Sequence, residues 1–270
     1  MFENPFENIE KILSEKYKND PDPWGLDPQK ALADLKFLWP IYKYYFDTKV
    51  HGADKLESDK AYMIISNHTG QIPIDALLIC VAFVAELNHP RLLRPLVERF
   101  LTSLPFLGKW SSESGAVLGD RTNCLNLLKR NESILVFPEG VPGIAKSPKN
   151  YYRLKPFTKG FIRMALHSKV DIVPIAVVGA EDFYPFVFHA RKIAKFLKLP
   201  ALPISPNLIP LPHPVDIYIG DPYSLPKDLD PDCLDDELSP HILHLESEID
   251  RMIQAGLENK RTLKNRFFKI

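Results

Sequence analysis

An imidazole and a carboxylate lie seven residues apart in Ser66-Asn-His-Thr-Gly-Gln-Ile-Pro-Ile-Asp75, directly after an apolar run. Pro73 suits the first position of a helix, which puts Asp75 in the first helical turn and His68 in the preceding loop. A carboxylate reaching back to an imidazole fixes its tautomer and stabilises it once protonated, as a general base requires. The same residues also read as a helix-capping Asp beside an incidental loop His.

Two further elements carry chemistry. Leu135-Val-Phe-Pro-Glu-Gly-Val-Pro-Gly143 places Glu139 at the end of an apolar strand on a Pro- and Gly-flanked turn, where side chains address ligands or simply face solvent. Gly115-Ala-Val-Leu-Gly-Asp-Arg121 puts Arg121 just past a short strand, suited to a bidentate grip on phosphate or carboxylate and equally to a surface salt bridge. The sequence has no Gly-x-x-x-x-Gly-Lys-Ser/Thr or Gly-x-Gly-x-x-Gly loop, no Cys-x-x-Cys or His-x-x-x-His pair and no Gly-x-Ser-x-Gly elbow. Nucleotide cradles, zinc sites of the usual spacing and α/β-hydrolase chemistry are thereby disfavoured. What remains is a base with an orienting acid, plus an Arg and a Glu at strand ends. That set fits activation of a hydroxyl for attack on an acyl donor, without a covalent enzyme intermediate.

Around these groups, residues 1–46 read as helical, broken by the turn-rich Asn19–Gly25. β-like runs follow at 49–52, 62–66, 91–97, 116–118, 133–137, 171–178 and 215–219, with helical stretches at 73–87, 98–104, 123–130 and 160–168. The alternation predicts an α/β fold, a mostly parallel sheet covered by helices on both faces, with an N-terminal helical segment. A last helix over about 235–260 starts acidic and ends basic, as the helix dipole favours. We divide the chain into an N-terminal helical, membrane-contacting segment (1–47), an α/β domain (48–225) with a proline-rich basic and apolar excursion at 183–214, and a C-terminal helix packed on the domain (226–270).

With 270 residues, 45% of them hydrophobic, the chain has material for a substantial core. Charge balances at 34 basic and 34 acidic residues, which argues against a dedicated nucleic-acid binder. Three widely spaced cysteines fit a reducing cytosol. No signal peptide is visible, and the ten-residue apolar run Ala76–Ala85 is half the roughly 20 residues a bilayer crossing needs. The zero net charge hides segregation. Residues 140–170 carry seven basic residues and 183–215 four, with no acid in either, while acids gather at 228–237. Basic runs form solvated faces, or face an anionic substrate or a lipid surface. Phe188–Leu199 has amphipathic helical spacing and reads as an interfacial anchor or as a helix packed on the domain; residues 37–46 and 264–270 are further membrane-contact candidates.

Taken in order, these motifs resemble the glycerolipid acyltransferase family, which includes lysophosphatidate acyltransferases. Asn67-His68 with Asp75 is similar to its first motif, Gly115–Arg121 to its second, Phe137-Pro-Glu-Gly140 to its third and Val173-Pro-Ile-Ala176 to its fourth; Phe157–Ala165 is similar to the helix before the fourth. The resemblance spans roughly residues 48–220. It implies His68 as general base and Asp75 as its orienter. Substrate binding would fall to Arg121 (the acceptor's phosphate or polar head), Glu139 and Gly140 (that pocket's shape), Lys159 in the motif helix, and Pro174 (the acyl-donor wall). The donor would be acyl-CoA or acyl-carrier protein, with no metal or bound cofactor. The protein would sit in the cytoplasm, peripherally on the inner face of a membrane, serving phospholipid synthesis.

One departure bears on the acceptor. The family's first motif usually has four residues between His and Asp, whereas six stand here, Thr69 to Ile74. Longer spacing resembles the branch of mono- and diacylglycerol acyltransferases, whose acceptors carry no phosphate. The expectation is therefore O-acyl transfer to lysophosphatidate or a related lysophospholipid, with a neutral acceptor (mono- or diacylglycerol, or a long-chain alcohol) and a non-catalytic lipid-binding relative as alternatives. A thioesterase using water in the same site is a lesser one.

Overall fold

The structure is a computed structural model that describes residues 5–69, 72–185, 188–190, 203–207 and 209–262. Two N-terminal helices, α1 (Glu7–Lys16) and α2 (Pro28–Pro40), precede the sheet. Asp27 caps α2 by accepting from the amides of Gln29 and Lys30, and Pro28 occupies the first turn, where no amide hydrogen is needed. At its other end Pro40 can donate no backbone hydrogen bond, and the helix widens into a π turn over Ile41–Tyr45.

Seven strands form one sheet in the order β1-β9-β6-β2-β5-β3-β4. They are β1 (Lys49–His51), β2 (Tyr62–Ser66), β3 (Leu93–Val97), β4 (Val117–Leu118), β5 (Ser133–Val136), β6 (Asp171–Val178) and β9 (Asp216–Ile219). Strands β2 to β6 run parallel to one another; β9 is antiparallel to β6, and β1 is parallel to β9, so two reversed strands close one edge. Between the strands lie α3 (Ile74–Ala85), α4 (Arg99–Ser103), α5 (Leu107–Glu113), α6 (Arg121–Lys129), α7 (Val141–Ile144) and α8 (Gly160–Ser168). A minimal pair, β7 (Phe188–His189) with β8 (Pro203–Ile204), interrupts the proline-rich excursion, and α9 (Asp235–Glu258) follows β9.

Every residue of β2 is buried, because both faces of the sheet are covered. Tyr62 and Ile64 face a core shared with α1, α2 and α3; Met63 and Ile65 face a second core shared with α6, α8 and α9. The two N-terminal helices thus share the core of α3. Arg94 on β3 strengthens that docking, its buried guanidinium 2.6 Å from Asp22 in the turn between α1 and α2.

Local details differ from the sequence reading. Pro73 stands at the N-cap of α3, which starts one residue later at Ile74, where a missing amide hydrogen is no loss; Asp75 remains in the first turn. Helices α5 and α7 fall where no helix was expected; they are short, and glycine, serine and proline mask their pattern. The amphipathic stretch 188–199 and the tail 264–270 lie outside the described residues, apart from the backbone of 188–190.

Candidate active site

Adjacent strands β2 and β5 send their chains to opposite sides: β2 leads through α3 to β3, and β5 leads through α8 to β6. In an open α/β sheet such a switch point leaves a crevice beyond the carboxyl ends of the strands. His68 follows β2 there and Glu139 follows β5. At the end of β2 the side chain of Asn67 prolongs the strand ladder. Its Oδ1 accepts from the amide of Val177 (2.8 Å) and its Nδ2 donates to the carbonyl of Val177 (3.1 Å), so the chain leaves the sheet at a fixed angle.

His68 Nδ1 lies 2.7 Å from Asp75 Oδ2. That oxygen also accepts the Thr69 amide at 2.7 Å, while Oδ1 accepts the Ala76 amide at 2.8 Å. Asp75 is fully buried, and the His68 side chain is 12% exposed. The imidazole stacks on Phe137, with ring centroids 4.0 Å apart. A carboxylate so committed makes Nδ1 the donor and leaves Nε2 the basic nitrogen.

Glu139 is buried, with both oxygens taken up by protein donors: the His68 amide (2.8 Å), the Lys155 amide (2.7 Å) and Lys146 Nζ (2.9 and 3.1 Å). Lys146 Nζ also donates to the His68 carbonyl (3.2 Å) and lies 3.6 Å from Glu181 Oε1. Burial pushes the Glu181 carboxyl up to about 7, against the pull of Lys146. Gly140 has φ +57° and ψ −151°, a conformation open essentially to glycine alone, and it turns the chain back over the site. At Gly143 the fit is close: a Cβ would stand 2.8 Å from the Cβ of His68 and 2.9 Å from that of Glu139.

Three residues singled out from the sequence lie in other surroundings. Arg121 opens α6, 61% exposed, with its guanidinium hydrogen-bonded to His167 Nε2 and 3.9 Å from Asp232. Lys159 pairs with Asp235 at 3.0 Å, and Arg163, one turn further along α8, lies 2.7 Å from the same carboxylate. The basic face of α8 thus meets the acidic segment before and into α9. Pro174 is buried in the middle of β6 opposite Ile65, its ring against Gly220 and near Met252 on the face α9 covers.

Lys146 and Glu181 were not singled out by sequence. Glu181 follows β6 and the positive-φ Gly179 (φ +107°), so the strand-end rule that selects Glu139 also selects Glu181. Among the described residues no group of three or more His, Cys, Asp or Glu side chains converges to hold a metal ion. Beside the site, an apolar cavity of about 320 Å3 opens between α2, the π turn and α3, with Leu38, Ile41, Phe46, Ile74, Leu78 and Ile209 among its walls. Its wall residue Ile74 adjoins Asp75.

A protein of Mycobacterium tuberculosis, described as uncharacterized, is 33% identical over 211 residues, 74% of this chain and 59% of its own length. A human protein named "DGAT1/2-independent enzyme synthesizing storage lipids" is 25% identical over 176 residues, 64% of this chain and 53% of its length. The chain thus spans little more than half the length of these relatives. Among solved structures, the 1-acyl-sn-glycerophosphate (LPA) acyltransferase PlsC of Thermotoga maritima shares the fold, with a TM-score of 0.55 and 16% identity over 93% of this chain and 90% of that one. The Acyltransferase family matches residues 47–178, from just before β1 to the last residue of β6, a span that includes His68, Asp75, Arg121, Glu139 and Pro174. Residues 47–178 of this chain are a domain of the Acyltransferase family.

Proposed function

We propose that the protein is an O-acyltransferase that moves a fatty acyl group from an acyl thioester to a hydroxyl of a glycerolipid. The observation that carries this reading is the buried Asp75 carboxylate 2.7 Å from His68 Nδ1 at the sheet's switch point. Nε2 takes the proton of the acceptor hydroxyl as its oxygen attacks the thioester carbonyl carbon. The carbon–sulfur bond breaks, and the protonated imidazole returns the proton to the departing sulfur as thiol. Proton transfer of this kind contributes about 10²–10⁴-fold to rate. The cavity beside α3 suits an acyl chain, each methylene buried there contributing about 0.8 kcal/mol.

The pairing of Arg121 with His167 and Asp232, and of Lys159 with Asp235, favours a neutral acceptor over lysophosphatidate. The six-residue His-to-Asp spacing supports the same choice, as does similarity to a relative named for storage-lipid synthesis. Exposed Lys149 and Arg153, in the loop after Glu139, are then available to the phosphates of the donor. Ile209 in the cavity wall is exposed, as are Phe37 and Tyr44, the sequence neighbours of the wall residues Leu38 and Tyr45, and such exposed apolar side chains suit peripheral contact with lipid. Among the described residues no helix is long and apolar enough to cross a membrane.

The test is thiol release from palmitoyl-CoA with lysophosphatidate, monoacylglycerol, diacylglycerol and a long-chain alcohol as acceptors. Release with the neutral acceptors and not with lysophosphatidate supports this reading. Release with lysophosphatidate alone returns Arg121 to the role of phosphate grip, and release without any acceptor makes the site a thioesterase.

A further inference from the structure

We propose that Lys146 is a positioning residue for His68: its ammonium, lodged between Glu139 and Glu181, clamps the backbone of the base through the His68 carbonyl. The inference rests on His68 as the base of the proposed reaction and names the group that holds it.

The His68–Thr69 peptide unit is held at both ends. Its carbonyl accepts from Lys146 Nζ at 3.2 Å, and its N–H donates at 2.7 Å to Asp75 Oδ2, the oxygen that also engages Nδ1 of the imidazole. One residue back, the His68 N–H donates to Glu139 Oε1, which Lys146 also binds at 3.1 Å. A single buried ammonium therefore sits behind both polar groups of the His68 backbone. It also spans three strand ends, since His68 follows β2, Glu139 follows β5 and Glu181 follows β6. A shift of Lys146 would move the peptide unit on which the Asp75–imidazole hydrogen bond depends.

The surroundings are built for an ion at this point. The side chains of Lys146, Glu139 and Glu181 are 3%, 0% and 1% exposed. A lone buried ammonium carries a heavy desolvation penalty, which these two carboxylates offset. Glu181 Oε2 accepts the Tyr152 amide, whereas Oε1 has no hydrogen-bond partner among the described residues and faces Lys146 at 3.6 Å. The ammonium donates to Glu139 and to the His68 carbonyl, with the Glu181 carboxyl 3.6 Å away. The reaction as proposed leaves the Lys146 side chain with no contact to substrate, so its contribution passes through His68.

The experiment compares Glu181→Gln with the double variant Lys146→Met/Glu181→Gln. The double variant removes one positive and one negative group together, so it leaves only the Glu139 carboxylate, still held by the His68 and Lys155 amides, whereas Lys146→Met alone leaves two buried carboxylates uncompensated and is expected to unfold. Relative to Glu181→Gln, the double variant is expected to lose about 10²-fold in kcat, the scale of a base displaced by an ångström, with KM for palmitoyl-CoA within about threefold. The low-field proton resonance of His68 Nδ1–H, assigned by its absence in His68→Ala, is expected to broaden or disappear in the double variant and to persist in Glu181→Gln. Equal kcat in the two variants, or an unaltered Nδ1–H resonance in the double variant, overturns the proposal. Absence of acyl transfer by the unmodified protein with every acceptor would sink the proposed function instead, and the resonance comparison would still decide whether Lys146 positions the imidazole.

Discussion

Two clusters of charged side chains lie in the family domain and against it, and their surroundings set them apart. Behind His68, the side chains of Asp75, Glu139, Lys146 and Glu181 are sealed from water and tied to backbone amides and carbonyls. Along α6 and α8, Arg121, Lys159, Arg163 and His167 meet Asp232 and Asp235 at the surface. Exposed pairs of the second kind contribute about 0–1 kcal/mol, whereas breaking a buried pair costs about 3–5 kcal/mol. The difference teaches that charge alone does not mark a site. The groups suited to chemistry are those whose geometry the fold cannot relax.

The predictions test that division. His68→Ala is expected to remove acyl transfer, and Asp75→Asn to lower kcat by about 10⁴-fold by releasing the wrong tautomer, both read as thiol release per folded enzyme. Gly143→Ala forces a methyl against His68 and Glu139; activity is expected to fall by about 10-fold or more through displacement of the base. Wild-type kinetics in Gly143→Ala would show that the loop yields and the cluster is not rigid.

Stability carries a pH dependence from Glu181. Its carboxyl is pushed up to about 7 by burial, from an ordinary 4.5, so the folded protein holds this proton to higher pH than the unfolded chain. Its contribution therefore makes stability fall as pH rises from about 4.5 to 7 and stay level above, by roughly 1–3 kcal/mol in all. Glu181→Gln is expected to flatten that part of the curve, measured by denaturant unfolding at pH 5 and pH 8. An unchanged slope would mean that the proton resides elsewhere in the cluster. The smallest effect belongs to the surface: Arg121→Ala and Lys159→Ala are expected to change kcat and KM for a neutral acceptor by less than about threefold. A larger rise in KM would show that their pairing with Asp232 and Asp235 gives way to substrate.

The same contrast explains what the sequence makes legible. His68 and Asp75 can be paired from spacing because one strand-to-helix turn holds both, and the strands and most helices follow from apolar runs between turn residues. Strand direction has no such local mark: nothing in the residues of β1 or β9 sets them apart, yet the two run together against β6 and the rest of the sheet. Lys146 sits in a basic stretch, and nothing nearby in sequence says that it turns inward, because its partners come from three different strand ends. Lys159 and Arg163 have helical spacing toward one face, but the acids that meet that face come from the far end of the chain. Periodicity reports which residues share a face; it does not report what the fold brings against it.

The most direct test of the central claim is acceptor-dependent thiol release from palmitoyl-CoA, measured side by side for the unmodified protein and His68→Ala with matched unfolding curves. The account predicts release that requires a glycerolipid hydroxyl and falls at least about 10²-fold in the variant. Release that continues undiminished without His68 would contradict it.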